Sequence, residues 1–409
     1  MYFIITDKND MITLVIRKDS KIIYRLRHKC STGLNKFTKL KAGRLYGSDS
    51  DYIVRNPSNY YLRVAISFNT EAPNDFCGMY GEIILSDRYY LYDPATIIKF
   101  NLKITKKYIE VACAKGLVNF LEWWKNYYIN GNSLQHSRYS IKALNIASKH
   151  GHVNVLEWWK NSGLPLEYDE DALDYASEYG HINVLEWWLK SNLPLKYSYY
   201  GFYMGWSNAN IKVLDWWKNS GVKIDYGHDY SANLLDWVSD DGNVEVLEWF
   251  KNSGLPLEYT SDALLWASEN GNIEVLEWWF KSNLPLKYDE LVLDIASENG
   301  HVNVLEWWLK NNQPLKYSIL SLNSASGNGH VEVLNWWLKS GLELKYNTQA
   351  LHDGAKNGHI NVLEWWFKSG LKLKYNQFLF SEIPKDKLKL ILEWFELKGL
   401  DIPYQIFKW

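Results

Sequence analysis

Cysteine is nearly missing from this 409-residue chain: Cys30, Cys77 and Cys113 stand far apart and are odd in number. They supply no disulfide framework and no CxxC ligand pair, which fits a reducing, intracellular compartment. A surplus of either charge is missing too, with 45 Lys and Arg against 47 Asp and Glu. Net charge therefore gives no reason to expect nucleic acid or an anionic membrane as partner. No apolar run nears the roughly 18 residues that a bilayer span needs. The opening MYFIITDKNDMITLVI sets Asp7, Lys8 and Asp10 inside its apolar stretch, unlike the basic-then-apolar order of a signal peptide. The expectation is a soluble, cytoplasmic protein with no membrane partner. Catalytic motifs are lacking as well: there is no GxSxG elbow, no GxxxxGK[ST] loop, no HExxH and no GxGxxG after a strand. The chain reads as non-enzymatic, with neither a cofactor nor a metal site expected.

What is present is apolar content, 47%, enough for a large core, and an abnormal number of tryptophans, 22. VLEWW or a close variant recurs with its first Trp at 123, 158, 187, 216, 249, 278, 307, 336, 365 and 394. The spacings are 35, 29, 29 and 33, then 29 five times, and eighteen of the 22 tryptophans belong to these strings. A fixed period of this size is the signature of a repeat array. In the unit 171–197, Leu173, Ala176 and Ser177 share one face of a short helix, and Gly180 and His181 interrupt it. Val184, Leu185 and Trp188 then share a face of a second helix, which Asn192 and Pro194 stop. Helices of about eight residues are unstable alone, so neighbouring units must supply the core. The first helix keeps a small residue at Ala112, Ala147, Ala176, Gly205, Ala267, Ala296, Ala325 and Gly354, and the turn keeps glycine except at Ala209. Glycine suits a turn that needs positive φ.

The unit ALDYASEYGHINVLEWWLKSNLPLKY resembles the ankyrin repeat, with Ala176, Gly180, His181, Val184 and Leu185 on matching family positions and Trp187–Trp188 replacing the family's Leu-Leu. The WW spelling and the closing LPLKY look like the ankyrin-repeat proteins of mimivirus-type giant viruses. The resemblance implies a mainly α, ankyrin-type helical-repeat solenoid of about ten short 29-residue units over 106–409, binding other proteins, host or viral, as a monomer. The units are about four residues shorter than the usual 33 and lack TPLH, so the family's projecting fingers should be short.

Residues 1–105 lie outside the repeat. FIIT, MITLVI, KIIYRL, YLRVAISF, GEIILS and YYLY read as strands, giving a small β-rich N-terminal domain. Residues 17–44 hold ten Lys or Arg against Asp19, either a solvated face or a nucleic-acid contact, which makes a nucleic-acid-associated protein the alternative function. The C-terminal KLKLILEWFELKGL reads as a cap.

Several side chains are candidates for partner binding. Lys287–Tyr288, Lys316–Tyr317, Lys345–Tyr346 and Lys374–Tyr375 recur at the unit period and should line one edge, as a binding surface or as a solvated stripe. Phe202, Tyr203 and Trp206 break the pattern of their unit, either as a packing change or as a hot spot. The paired tryptophans read as core, with Trp187 at the flank. His152, His181, His301, His330 and His359 stand too far apart for metal ligation and read as loop hydrogen-bonding groups. The glutamate of VLEWW reads as pairing with its own Lys four residues on.

Overall fold

In the computed structural model the described residues are 2–6, 11–18, 21–29, 33–37, 61–67, 81–85, 89–100, 102, 104–129, 142–227, 233–376 and 378–402, with side chains from residue 89 onward except at 128 and 129. The architecture is mainly α, a repeat of helix pairs consistent with an ankyrin-type fold in general. Two compact units divide the chain: Met1–Gly205 with Asp215–Lys223, and Trp206–Leu214 with Ile224–Trp409.

The first unit opens with antiparallel strands. Tyr2–Thr6 pairs with Tyr61–Ser67, which pairs with Gly81–Leu85, which pairs with Gly33–Phe37. Met11–Lys18 and Lys21–Lys29 form a separate hairpin whose register shifts between Ile16 and Arg17. β-branched and aromatic residues are frequent in most of these segments, the residue types that strands favour. The helix pairs follow. In Asp171–Glu178 and Ile182–Lys190, Leu173, Ala176, Val184, Leu185 and Trp188 are all 0% exposed. The two faces expected from the sequence are thus the two faces of one core.

The turn between the helices closes by a recurring bond. His181 N–H donates to the Ala176 carbonyl at 2.8 Å, five residues back, with Gly180 at φ 71°. This is the six-to-one bond of a Schellman ending, and it needs a left-handed residue. The second unit repeats it at His301, His330 and His359, with Gly300, Gly329 and Gly358 at φ 80°, 84° and 78°. Ala209 takes the same conformation, φ 53°, without glycine's freedom. The second helix ends on a serine: Ser191 Oγ donates to the Trp188 carbonyl at 2.7 Å and accepts from Leu193 N–H at 3.1 Å, while Asn192 turns left-handed at φ 59°. Asn192 therefore stops the helix as its sequence implies, and Gly341 and Gly370 do so in later units at φ 76° and 74°.

Among the described residues no helix is long and apolar enough to cross a membrane.

Candidate interaction surfaces

The repeated side chains are consumed largely by unit-to-unit bonds. From Trp188 onward the second Trp of the pair is fully buried, and its indole N–H donates to a serine in the first helix of the preceding unit: Trp188 to Ser148 at 2.9 Å, Trp279 to Ser239 at 2.9 Å, Trp337 to Ser297 at 3.0 Å and Trp366 to Ser326 at 3.0 Å. A buried indole without such an acceptor would lose the hydration it had when unfolded. Ser239, Ser297 and Ser326 in turn donate to the carbonyl four residues back, so each hydroxyl has a fixed direction. At the start of the array Cys113 takes the serine's place and accepts from Trp159 at 3.4 Å. Burial pushes this thiol up to about 12, against a smaller opposite effect of the indole bond, which makes it a poor nucleophile.

The first Trp lies at the flank of the core, and its N–H reaches the VLEWW glutamate of the preceding unit. Trp158 meets Glu122 at 2.7 Å, Trp187 meets Glu157 at 2.7 Å, Trp278 meets Glu248 at 2.8 Å and Trp307 meets Glu277 at 2.9 Å. Some of these glutamates also bind their own lysine, as Glu277 does Lys281 at 2.7 Å. The within-helix pairing read from the sequence is present, and the tryptophan bond to the next unit was not legible from it. Trp365 bonds Asn335 instead at 2.9 Å, and the N–H of Trp216 is buried without an acceptor while Glu186 holds Lys190 at 2.7 Å.

The turn histidines are loop hydrogen-bonding groups. His152, His181 and His301 place Nε2 2.9, 3.0 and 2.8 Å from the carbonyls of Ala114, Lys149 and Glu269 in the preceding turn. Each ring lies over the glycine of that turn, so that a Cβ on Gly151 or Gly271 would come within about 3 Å of it. Among the described residues no group of His, Cys, Asp or Glu has the arrangement of a metal site.

The lysine–tyrosine edge is an interlocked ladder. Lys316 Nζ sits 4.7 Å from the centroid of Tyr288 and donates to the Tyr288 carbonyl at 2.9 Å. Lys287 does the same to Tyr259, Lys345 to Tyr317 and Lys374 to Tyr346, with centroid distances of 4.1, 4.4 and 4.0 Å. Each tyrosine ring also leans on the buried Trp of the following unit, Tyr288 on Trp308 at 4.6 Å and Tyr346 on Trp366 at 4.6 Å. Its hydroxyl donates onward, Tyr288 to the Pro314 carbonyl at 3.1 Å. The structure thus brings the candidate lysines and tyrosines into one line, with their ammonium groups folded back on the chain. Tyr375, at the end of the line, packs edge-on against Phe395 at 5.3 Å.

The irregular unit is placed differently. Phe202 and Trp206 are 2% and 3% exposed, so their rings belong to packing, and Tyr203 remains partly exposed. Tyr203 stands where sister units bury a carboxylate: Asp174, Asp236 and Asp294 accept the backbone N–H of Ser198, Thr260 and Ser318 at 3.1, 2.9 and 2.9 Å, pinning the connector to the first helix. Burial drives the Asp174 carboxyl up to about 6, with the Ser198 bonds opposing it. These anchoring aspartates and the acceptor serines were missed by sequence reasoning, because their partners lie in another segment. The basic segment 17–44 has its side chains outside the described residues.

The outward positions of the first helices remain to form surface. Residue 175 and its equivalents are Ile146, Tyr175, Met204, Trp237, Trp266, Ile295, Ser324 and Asp353, all partly exposed and varied in length and polarity. They can supply contact area, charge and aromatic faces.

No family model matches the chain, and no curated protein matches it. Among solved structures it is similar to the crystal structure of the ankyrin repeat domain of Bcl-3, a member of the IkappaB protein family, at 13% sequence identity and a TM-score of 0.33, over 47% of this chain and 97% of that one. The functional reading accordingly rests on the repeat's own geometry.

Proposed function

We propose that this chain is a non-enzymatic scaffold of ankyrin-type repeats, about ten units over 106–409 behind a small β-rich segment 1–105, and that it binds other proteins through the outward side of its first helices. One observation carries this reading. Side chains that repeat in every unit are tied to neighbouring units, whereas the outward first-helix position changes from Tyr175 to Ile295, Ser324 and Asp353. A partly exposed position that varies from unit to unit is what a solenoid offers a partner. We assign the lysine–tyrosine ladder, with Tyr203, the role of a rim whose backbone is fixed in advance; pre-organisation of this kind lowers the cost of binding. The fold class alone would not decide function.

The test is site-specific photo-crosslinking of the full chain in a cell lysate. A crosslinking phenylalanine analogue at Tyr175 or Ile295 is expected to give saturable protein adducts, and the same group at Leu309 on the second helix is not. Adducts to nucleic acid alone, lost at raised salt, would instead favour the basic segment 17–44 as the working part.

A further inference from the structure

The buried polar place in the first helix ties the connector 24 residues further on in several units. Asp174, Asp236 and Asp294 accept there from Ser198, Thr260 and Ser318. Asn145 bonds Asp169, and Asn323 bonds Asn347 at 2.8 Å. In the helix Gln349–Lys356 the same place is His352, 6% exposed, and the residue 24 further on is Asn376. No bond joins these two: His352 Nε2 is buried without a hydrogen-bond partner, and the Asn376 side chain accepts from Phe378 N–H at 3.0 Å. The last helices, Leu379–Glu382 and Lys385–Leu397, are thus docked without this tie, although Leu379, Phe380 and Phe395 are buried and Trp394 reaches Glu364 of the preceding unit at 3.1 Å.

The charged groups around His352 do not pair with it. The helix Leu320–Gly327 before it contains no charged residue. On its own helix Asp353 accepts from Gln349 at 2.6 Å, and Lys356 is exposed. On the following helix Glu364 is engaged by Lys368, Lys398 and Trp394. From the last helix Lys387 donates to the Asn357 carbonyl at 2.9 Å. Burial holds the imidazole below its ordinary 6.5, opposed by the negative charges of Glu382 and Asp353. A neutral ring is tolerated in this place; a protonated one brings a full charge and a second N–H to a site where Nε2 meets no acceptor.

We propose that His352 is an acid-sensitive latch for the end of the array: while the ring is neutral the helices Leu379–Glu382 and Lys385–Leu397 stay docked, and protonation releases them. The stability that the neutral ring confers is present above pH 6.5 and is lost as pH falls through the folded-state value. Asp174, whose carboxyl burial pushes up, responds in the opposite sense, so the latch shows in a local measurement.

Hydrogen exchange of the full chain, read by mass spectrometry at about pH 7.5 and about pH 5.5 and corrected for intrinsic exchange rates, reports the release. Protection in Leu379–Glu382 and Lys385–Leu397 is expected to fall by about threefold or more on acidification, while that of Val302–Lys310 holds. His352→Asn introduces the residue that sister units carry as Asn145 and Asn323, and should keep protection equal at both pH values. Glu382→Gln, at an exposed residue, is the variant least able to disturb the fold; without that charge the fall should move to lower pH. Unchanged protection in the parent, an equal fall in Val302–Lys310, the same fall in folded His352→Asn, or an unmoved fall in Glu382→Gln overturns the proposal.

Discussion

Trp337 Nε1 stands 3.0 Å from Ser297 Oγ, forty residues earlier in the chain, and the same bond joins Trp188 to Ser148 and Trp366 to Ser326. Ser297 is 0% exposed and donates its own hydrogen bond to the Leu293 carbonyl. Replacing it with alanine leaves a buried indole N–H without an acceptor, a loss of about 1–3 kcal/mol. Ser297→Ala should lower the denaturant midpoint accordingly, whereas Cys113→Ser should hold or raise it. Equal stability of Ser297→Ala and parent would show that the indole bond is dispensable.

The turn glycines should be intolerant for two reasons at once. Gly300 has φ 80°, and a Cβ there would meet the His330 ring at 2.8 Å. Gly300→Ala is expected to destabilise by about 1–2 kcal/mol from the backbone alone, with the steric clash adding to it. The reverse change, Ala209→Gly, relieves a left-handed alanine and should stabilise by up to about 1 kcal/mol, glycine's greater unfolded-state freedom offsetting part of the gain. Thermal unfolding of both variants checks the opposite signs.

Asp174 makes stability depend on pH. Its folded-state value of about 6 lies above the ordinary 3.8, so the folded chain holds this proton more tightly than the unfolded chain. The stabilisation is complete below pH 3.8 and is lost as pH rises to about 6. Asp174→Asn removes the dependence and should exceed the parent by up to about 3 kcal/mol above pH 6, with the difference shrinking toward zero near pH 4. Paired denaturation curves across that window measure it, and a difference that does not vary with pH would refute the assignment.

The lysine–tyrosine ladder should act in stacking as well as at the rim. Lys316→Met keeps the stem but removes the ammonium from the Tyr288 ring and carbonyl. A loss of about 0.5–1 kcal/mol is expected, because the group is exposed. Hydrogen exchange should show the loss at the 288–316 step, with distant units unchanged.

Much of the repeat was legible in the residues because its signals are local. The period, the two apolar faces, the positive-φ turn at Gly180 and the stop at Asn192 all follow from spacing and backbone preference. Bonds between units were not legible, since nothing local ties Ser148 to Trp188 or Glu157 to Trp187. Ser177 reads only as a small member of a helix face, and Cys113 as a stray thiol, until the following unit's indole lies over them. The lysine–tyrosine line was visible as a line, but the return of each ammonium to the previous tyrosine depends on how units stack. Phe202 and Trp206 stood out as a break in pattern, and aromatic type could not tell buried rings from a surface.

Between units of regular length these bonds span a constant stretch of chain, 24 residues from connector to buried aspartate, 28 from lysine to tyrosine carbonyl, 30 from tryptophan to glutamate and 40 from tryptophan to serine, whereas over the longer first spacing Trp158 reaches Glu122 across 36 and Trp159 reaches Cys113 across 46. None reaches past the adjacent unit. Deleting or duplicating a 29-residue block therefore rejoins every donor to an equivalent acceptor, and the coding sequence can lengthen or shorten by unequal crossing-over while the remaining units keep all their partners.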